Sequence, residues 1–327
     1  MLNKFLFKLA LKYQWIGRFI AGNDGFDFKK QQEAEKDPRN YIMGASPLIK
    51  KILKENGDWQ DIIIEKEPQS GALETMGCTG FSLLSIIEIL HKFKWAEEVN
   101  KSDRFTNKMS GVTANGNSMN TVLESVRKNH GAVNQSDWPN NVDKLTWAQY
   151  YSAIPQEIKD KGLMWLKDYE IGYEAVYNTK QAILEALKFS PLYIAIYAWY
   201  LKDGLYVAVG NPNHAGVLVG GNNDYGIVFD SYDPFIKKVS WNNIFFPKLI
   251  TFNKKKEVFN PQAIQKLIAR GLEYLQRPES RGELYKISSD GLVYKAGQEL
   301  TNDLIKEKAT QGKLVGISEK DWYKLLI

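Results

Sequence analysis

The chain has 327 residues, 44% of them hydrophobic and 25% charged, an ordinary globular composition with length for one large domain or two modest ones. A formal net charge of +5 is mild at this size and is not gathered into a dense Lys/Arg stripe, so no nucleic-acid partner is expected. A single cysteine excludes an internal disulfide. With only three histidines beside it, too few N and S ligands remain for a structural zinc site, and no cofactor is expected.

No run of about 18 apolar residues exists, so no membrane-spanning helix is predicted. Residues 2–20 read as an amphipathic helix, with Leu2, Phe5, Leu6, Leu9, Tyr13, Ile16 and Ile20 on one side. Lys4 and Lys8 fall opposite and Lys12 at the flank. Lys8 and Lys12 interrupt what would otherwise imitate a signal peptide, which points to a cytoplasmic or virion-associated protein. The apolar face suits a protein contact, a membrane surface or an inhibitory leading segment. Residues 22–40 are polar and charged and read as a linker, and a short helix is expected over 46–55.

The block from about Trp59 to Phe252 opens with a strand-like run, Ile62–Ile64, and a loop, Pro68–Gly77. In Thr79–Phe93, apolar residues cover almost every face, the mark of a helix buried on most sides. Further helices are expected over Ser118–Asn129 and Thr179–Phe189. Strands follow at Leu192–Tyr197, Leu205–Val209, His214–Gly220, Gly226–Phe229 and Lys238–Trp241. Helices first and strands later indicate an α+β arrangement. Beyond Lys254 the tail reads as a separate small module over 255–327. It comprises a helix opened by Asn260 and Pro261, a hairpin (Leu284–Ile287 and Leu292–Tyr294) turned at Asp290-Gly291, and two closing helices.

A thiol attacks a carbonyl as the thiolate, and a helix N-terminus with a neighbouring imidazolium favours that form. Cys78 stands immediately before the buried helix, flanked by Gly77 and Gly80, which would let a substrate backbone come close. His214 follows the turn Asn211-Pro212-Asn213 and leads a strand, which places it at the mouth of a sheet. Asp230 lies sixteen residues later, after a turn and a second strand, so a hairpin should return it beside His214. Asp233 competes for that role but precedes Pro234 and reads as a turn residue. For the developing oxyanion, the Cys78 backbone N–H is one donor and the Gln69 side-chain amide a second candidate. Glu74, Thr75, His91 and His130 read as solvated helix or loop positions.

The order Gln, Cys, His, Asp resembles the papain-like cysteine peptidases. GCTGFSLLSIIE resembles their nucleophile segment, NHAGVLVG their His strand, and DSYDP their Asn-Ser-Trp element. Gly57-Asp58-Trp59 is similar to the start of their mature enzyme, and Gly116-Asn117-Ser118-Met119 to the loop that pairs with substrate backbone. The resemblance covers about residues 57–252. It implies a two-lobed fold: a helical lobe carrying the Cys and an antiparallel β lobe carrying His and Asp. The N-terminal extension would then span 1–56 and the peptidase domain 57–254. There are departures. Thr79 replaces the usual aromatic, Asp230 the Asn and Tyr232 the Trp, while Gln69 stands nine residues before Cys78, farther than in the family.

The implied activity is hydrolysis of protein or peptide substrates by Cys78, His214 and Asp230. Gly116 and Asn117 would bind substrate backbone, and Ala195 and Ala215 would line a pocket for a bulky apolar side chain. A cell-wall amide hydrolase is an alternative, as is a non-catalytic scaffold or virion component. The Lys-, Asn- and Ile-rich composition resembles peptidases encoded by phages or small uncultivated bacteria.

Overall fold

The computed structural model describes residues 25–44 and 51–255, with the backbone of three short strands beyond them. The chain divides into two compact units, one ending at Lys255 and the other running from Lys256.

The first unit is α+β, as the pattern of elements predicts. Helix α1 (Phe28–Glu35) is capped by the Asp27 carboxylate, which accepts from the Lys30 N–H. Helix α2 (Cys78–Trp95) is the central one, and residues on all its faces from Cys78 to His91 are buried, Ser85 being half-buried. Lys92 and Lys94 lie in its last turn, where they complement the helix dipole, and Ala96 ends it in a left-handed conformation. Helices α3 (Asp103–Ser110), α4 (Met119–Glu124, continued by a π turn, Ser125–Asn129), α5 (Trp147–Tyr150) and α6 (Gln156–Asp168) follow. Strand β1 (Tyr169–Ala175) and helix α7 (Lys180–Leu187) lead into the sheet. Its remaining strands are β2 (Leu192–Ile196), β3 (Leu201–Lys202), β4 (Leu205–Tyr206), β5 (His214–Gly221), β6 (Gly226–Phe229), β7 (Ile236–Val239) and β8 (Phe245–Lys254).

The eight strands run in the order β1-β8-β2-β5-β6-β7-β4-β3. All neighbours are antiparallel except β4 with β7. Helix α2 packs on β5, β2 and β8, and its apolar residues merge with theirs into one core. Burying the Leu, Ile and Phe side chains of this helix contributes on the order of 2 kcal/mol each before entropy is counted. Trp59 is wholly buried in that core, where its indole N–H donates to the Leu187 carbonyl.

Several expectations need correction. Residues 25–44 are not a free linker. Within α1, Gln31 is completely buried, accepts from the Met119 N–H and donates to Asn120 Oδ1. Its polar sequence misled because side-chain hydrogen bonds, with Phe28 as the one aromatic packed on the core, fix α1 in place of a broad apolar face. Ile62–Ile64 forms no strand. Gln60–Ile62 is a 3-10 turn, whose entry is organised by the Asp58 carboxylate accepting the Gln60 N–H. Residues 51–55 of the expected 46–55 helix are not helical.

Helices α3 and α6 and strands β1 and β8 were not foreseen. They are short or of mixed polarity, and β1 and β8 hold each other through seven paired residues. His91 is buried in an aromatic cluster with Trp95, Tyr169 and Phe252, and Thr75 is wholly buried. The expected helix over 2–20 and the tail helices lie outside the described residues. In the second unit β9 (Tyr285–Ile287) and β10 (Val293–Lys295) pair antiparallel as the hairpin predicts, and β11 (Gln298–Leu300) adds a third strand.

Candidate active site

Helix α2 and strand β5 bring Cys78 and His214 together. Cys78 is the first residue of α2, and its Sγ accepts the backbone N–H of Ala215 at 3.3 Å. His214 is the first residue of β5 and is hydrogen-bonded to the Cys78 side chain. On the other side of its ring, Nε2 meets Asp230 Oδ1 at 2.6 Å. Asp230 directly follows β6, whose pairing of Phe229 with Val217 carries the chain back beside the start of β5. Asp233, by contrast, is exposed.

Trp199 and Tyr232 enclose the imidazole, with ring centroids 5.3 and 5.2 Å from it. Burial by itself opposes a charged ring. The charges of Asp230 and Cys78 and the hydrogen bonds to both outweigh it, and His214 titrates well above its ordinary range. Burial likewise opposes ionisation of Asp230, but His214, then Lys237, hold it below the usual carboxylate range. The site therefore favours an imidazolium between a carboxylate and the sulfur, the state in which a thiol is delivered as thiolate.

Gln69 is completely buried and tied to the same region through Tyr232. Its amide nitrogen donates to Tyr232 Oη at 2.7 Å and to Glu74 Oε1 at 2.9 Å, and its Oε1 accepts from Ser231 Oγ. Both amide hydrogens are thus engaged, and holding a substrate oxygen requires one bond to be exchanged. Glu74 is a working member of this network, since it also accepts the Tyr232 hydroxyl and the Met76 N–H.

The space at Gly77 and Gly80 is taken by Asn107. A Cβ at Gly77 would lie 2.1 Å from Asn107 Nδ2, and one at Gly80 2.0 Å from its Oδ1. These glycines therefore seat Asn107 against the start of α2, and substrate approach does not explain them. Ala195 and Ala215 are register partners across β2 and β5, both wholly buried.

Residues 25–27 lie across the loops named as substrate contacts. The Asn117 N–H donates to the Gly25 carbonyl at 3.1 Å, and the Asp27 N–H donates to the Asn117 carbonyl at 2.9 Å. From the sheet side, the carbonyl of Asn213, adjacent to His214, accepts the Phe26 N–H at 3.3 Å. Gly116, at φ +76°, leaves only room for backbone here, because a Cβ would sit 1.9 Å from the Gly25 oxygen. Gly25 also lies against the backbone of Met76, two residues before Cys78. The Phe26 side chain is buried, its ring 6.4 Å from that of Phe246. Cys78 and His214 have no solvent exposure in this arrangement.

Sequence reasoning missed residues 25–27, Asn107, Trp199 and Lys237. Only Phe26, which with Phe28 is aromatic in an otherwise polar stretch, gave any signal.

No family model and no curated protein matches the sequence. The likeness lies with solved cysteine proteases. Digestive procathepsin L 3 of Tenebrio molitor larval midgut aligns at TM-score 0.47 and 14% identity, over 72% of this chain and 78% of that one. Bromelain of Ananas comosus, in complex with the inhibitor E64, gives 0.44 and 18%, over 61% and 98%. The ragweed pollen cysteine protease Amb a 11, in its proform, gives 0.46 and 14%, over 72% and 76%. At such scores the likeness lends no weight to an activity, and the chemistry rests on the site's own geometry.

Proposed function

We propose that this chain is a cysteine-type peptidase that cleaves peptide bonds through Cys78, His214 and Asp230. The observation that supports this reading is the buried hydrogen-bonded series Cys78–His214–Asp230 at the N-terminus of a central helix. A sulfur between a helix N-terminus and an imidazolium is an activated nucleophile, and a carboxylate fixes the ring so that its other nitrogen faces sulfur.

The Cys78 thiolate attacks the substrate carbonyl carbon, a C–S bond forms, and the electron pair moves to oxygen. The Cys78 backbone N–H, with Gln69 after exchange of one bond, receives that charge. Collapse breaks the C–N bond, and the departing amine takes the proton from His214. The neutral imidazole then removes a proton from water, which attacks the thioester and releases the acid and the thiolate.

Extended peptide backbone would bind where residues 25–27 now run, paired with Asn117 and the Asn213 carbonyl, with Gly116 clearing the way. In this reading the arrangement is an occluded form, and residues 25–27 must leave before substrate enters.

The test is alkylation by an E-64-type epoxide, followed by mass mapping, with casein hydrolysis measured in parallel. Selective modification of Cys78, casein cleavage, and loss of both in Cys78→Ser are expected. No modification after residues 25–27 have been displaced would overturn the proposal.

A further inference from the structure

Lys237 is buried where the pattern of its strand gives it no reason to be. Along β7 the apolar Ile236 faces outward, while Lys237 is only 3% exposed and points into the protein. An ammonium in a protein interior is costly unless its charge is paired and its donors are satisfied. Here both conditions hold. Lys237 Nζ donates to Asp230 Oδ2 at 2.5 Å and to the carbonyls of Tyr232 at 2.5 Å and Pro234 at 2.6 Å. It also lies 4.5 Å from the centroid of the Trp199 ring, the ring that stands edge-on to His214.

Asp230 is therefore held from two sides. Oδ1 accepts from His214 and from the Ser231 N–H, and Oδ2 accepts from Lys237. The charged groups facing the imidazole are Asp230 and Cys78, and those facing the carboxylate are His214 and Lys237. A carboxylate paired with His214 alone would hold the imidazolium more tightly, and a tightly held imidazolium is slow to give its proton to a departing amine. A second cation on the far oxygen draws off part of that charge and fixes the carboxylate plane.

We propose that Lys237 is a positioning residue for the triad, balancing the Asp230 carboxylate so that His214 is oriented by it without being trapped as imidazolium. This rests on the peptidase reading above. Its counterpart in the sequence is the presence of Asp230 itself, a charged group that creates the need for a buried cation.

The experiment compares the wild type with Lys237→Met, Lys237→Arg, Asp230→Asn, and Asp230→Asn combined with Lys237→Met. Three quantities are measured: the NMR titration of the His214 ring, kcat and KM for a peptide substrate, and Tm. In Lys237→Met, His214 should titrate higher by about half a pH unit or more. kcat should fall about tenfold with KM little changed, while Lys237→Arg keeps the titration near wild type.

Lys237→Met should lower Tm when Asp230 is present and should not lower it in the Asp230→Asn background, where no carboxylate needs balancing. An unmoved His214 titration, or the same Tm loss in both backgrounds, overturns the proposal and leaves Lys237 a mere tie for the 232–234 turn. If Lys237→Met alone does not fold, a soluble double variant supports the proposal and an insoluble one overturns it. Titration and Tm need no turnover, so a protein that stays inactive after residues 25–27 have been displaced would refute the peptidase reading without deciding the role of Lys237.

Discussion

The carbonyl of Asn213 accepts the backbone N–H of Phe26 at 3.3 Å, so the residue immediately before His214 is bonded to the segment that enters α1. Asn117 binds the same segment on its helical side, at Gly25 and Asp27. The protein's own backbone thereby spans the gap between the helical residues and the sheet at the place where chemistry is proposed.

Weakening that segment should open the site. Replacing a buried Phe by Ala costs about 3–5 kcal/mol. If about 2 kcal/mol of this falls on docking, the undocked population rises roughly thirtyfold. Phe26→Ala is therefore expected to speed epoxide labelling of Cys78 at least severalfold. A labelling rate equal to wild type, in a variant that remains folded, would show that residues 25–27 do not limit access.

Cys78→Ser should abolish peptidase activity, by about a hundredfold or more, with little change in Tm. The hydroxyl is close in volume to the thiol and can accept the Ala215 N–H that Sγ now accepts at 3.3 Å. Residual activity within tenfold of wild type would remove Cys78 as nucleophile.

Asp230→Ala and Asp233→Ala should separate cleanly. The first removes the partner of His214 Nε2 and strands Lys237 in the interior, so both activity and Tm should fall, activity by about a hundredfold or more. The second alters an exposed turn residue and should leave both near wild type. Comparable defects in the two would mean that Asp230 does not orient the ring.

Glu88 offers a test of the fold's acid–base balance away from the site. Its carboxyl is driven well above the usual range by burial first, and by the nearby Glu67 charge, against the Lys101 N–H that it accepts. The folded chain keeps a proton that the unfolded chain releases. The resulting stabilisation is complete below the unfolded carboxylate range, near pH 4.3, and is lost as pH rises through the folded value. Glu88→Gln keeps the acceptor and removes the titration, so its stability relative to wild type should grow between pH 5 and pH 8 in urea melts. A constant difference between the two proteins would mean that Glu88 stays ionised when folded.

The sequence alone determined the parts of the site that depend on local pattern. Apolar residues on every face from Phe81 to Phe93 require a buried helix, and its start places Cys78. The alternation from turn to strand at His214, and the hairpin that returns Asp230, follow from spacing and turn residues. Only the tertiary structure decided what fills the remaining partners. Lys237 sits just before the strand expected at Lys238–Trp241, and its burial depends on the Asp230 oxygen that the folded hairpin supplies. The Gln69 amide belongs to Tyr232 and Glu74 because two loop segments, around 69–74 and 231–232, converge there. Residues 25–27 read as linker because their bonds run through the backbone, and a backbone N–H or carbonyl carries no trace of its distant partner in the amino-acid code.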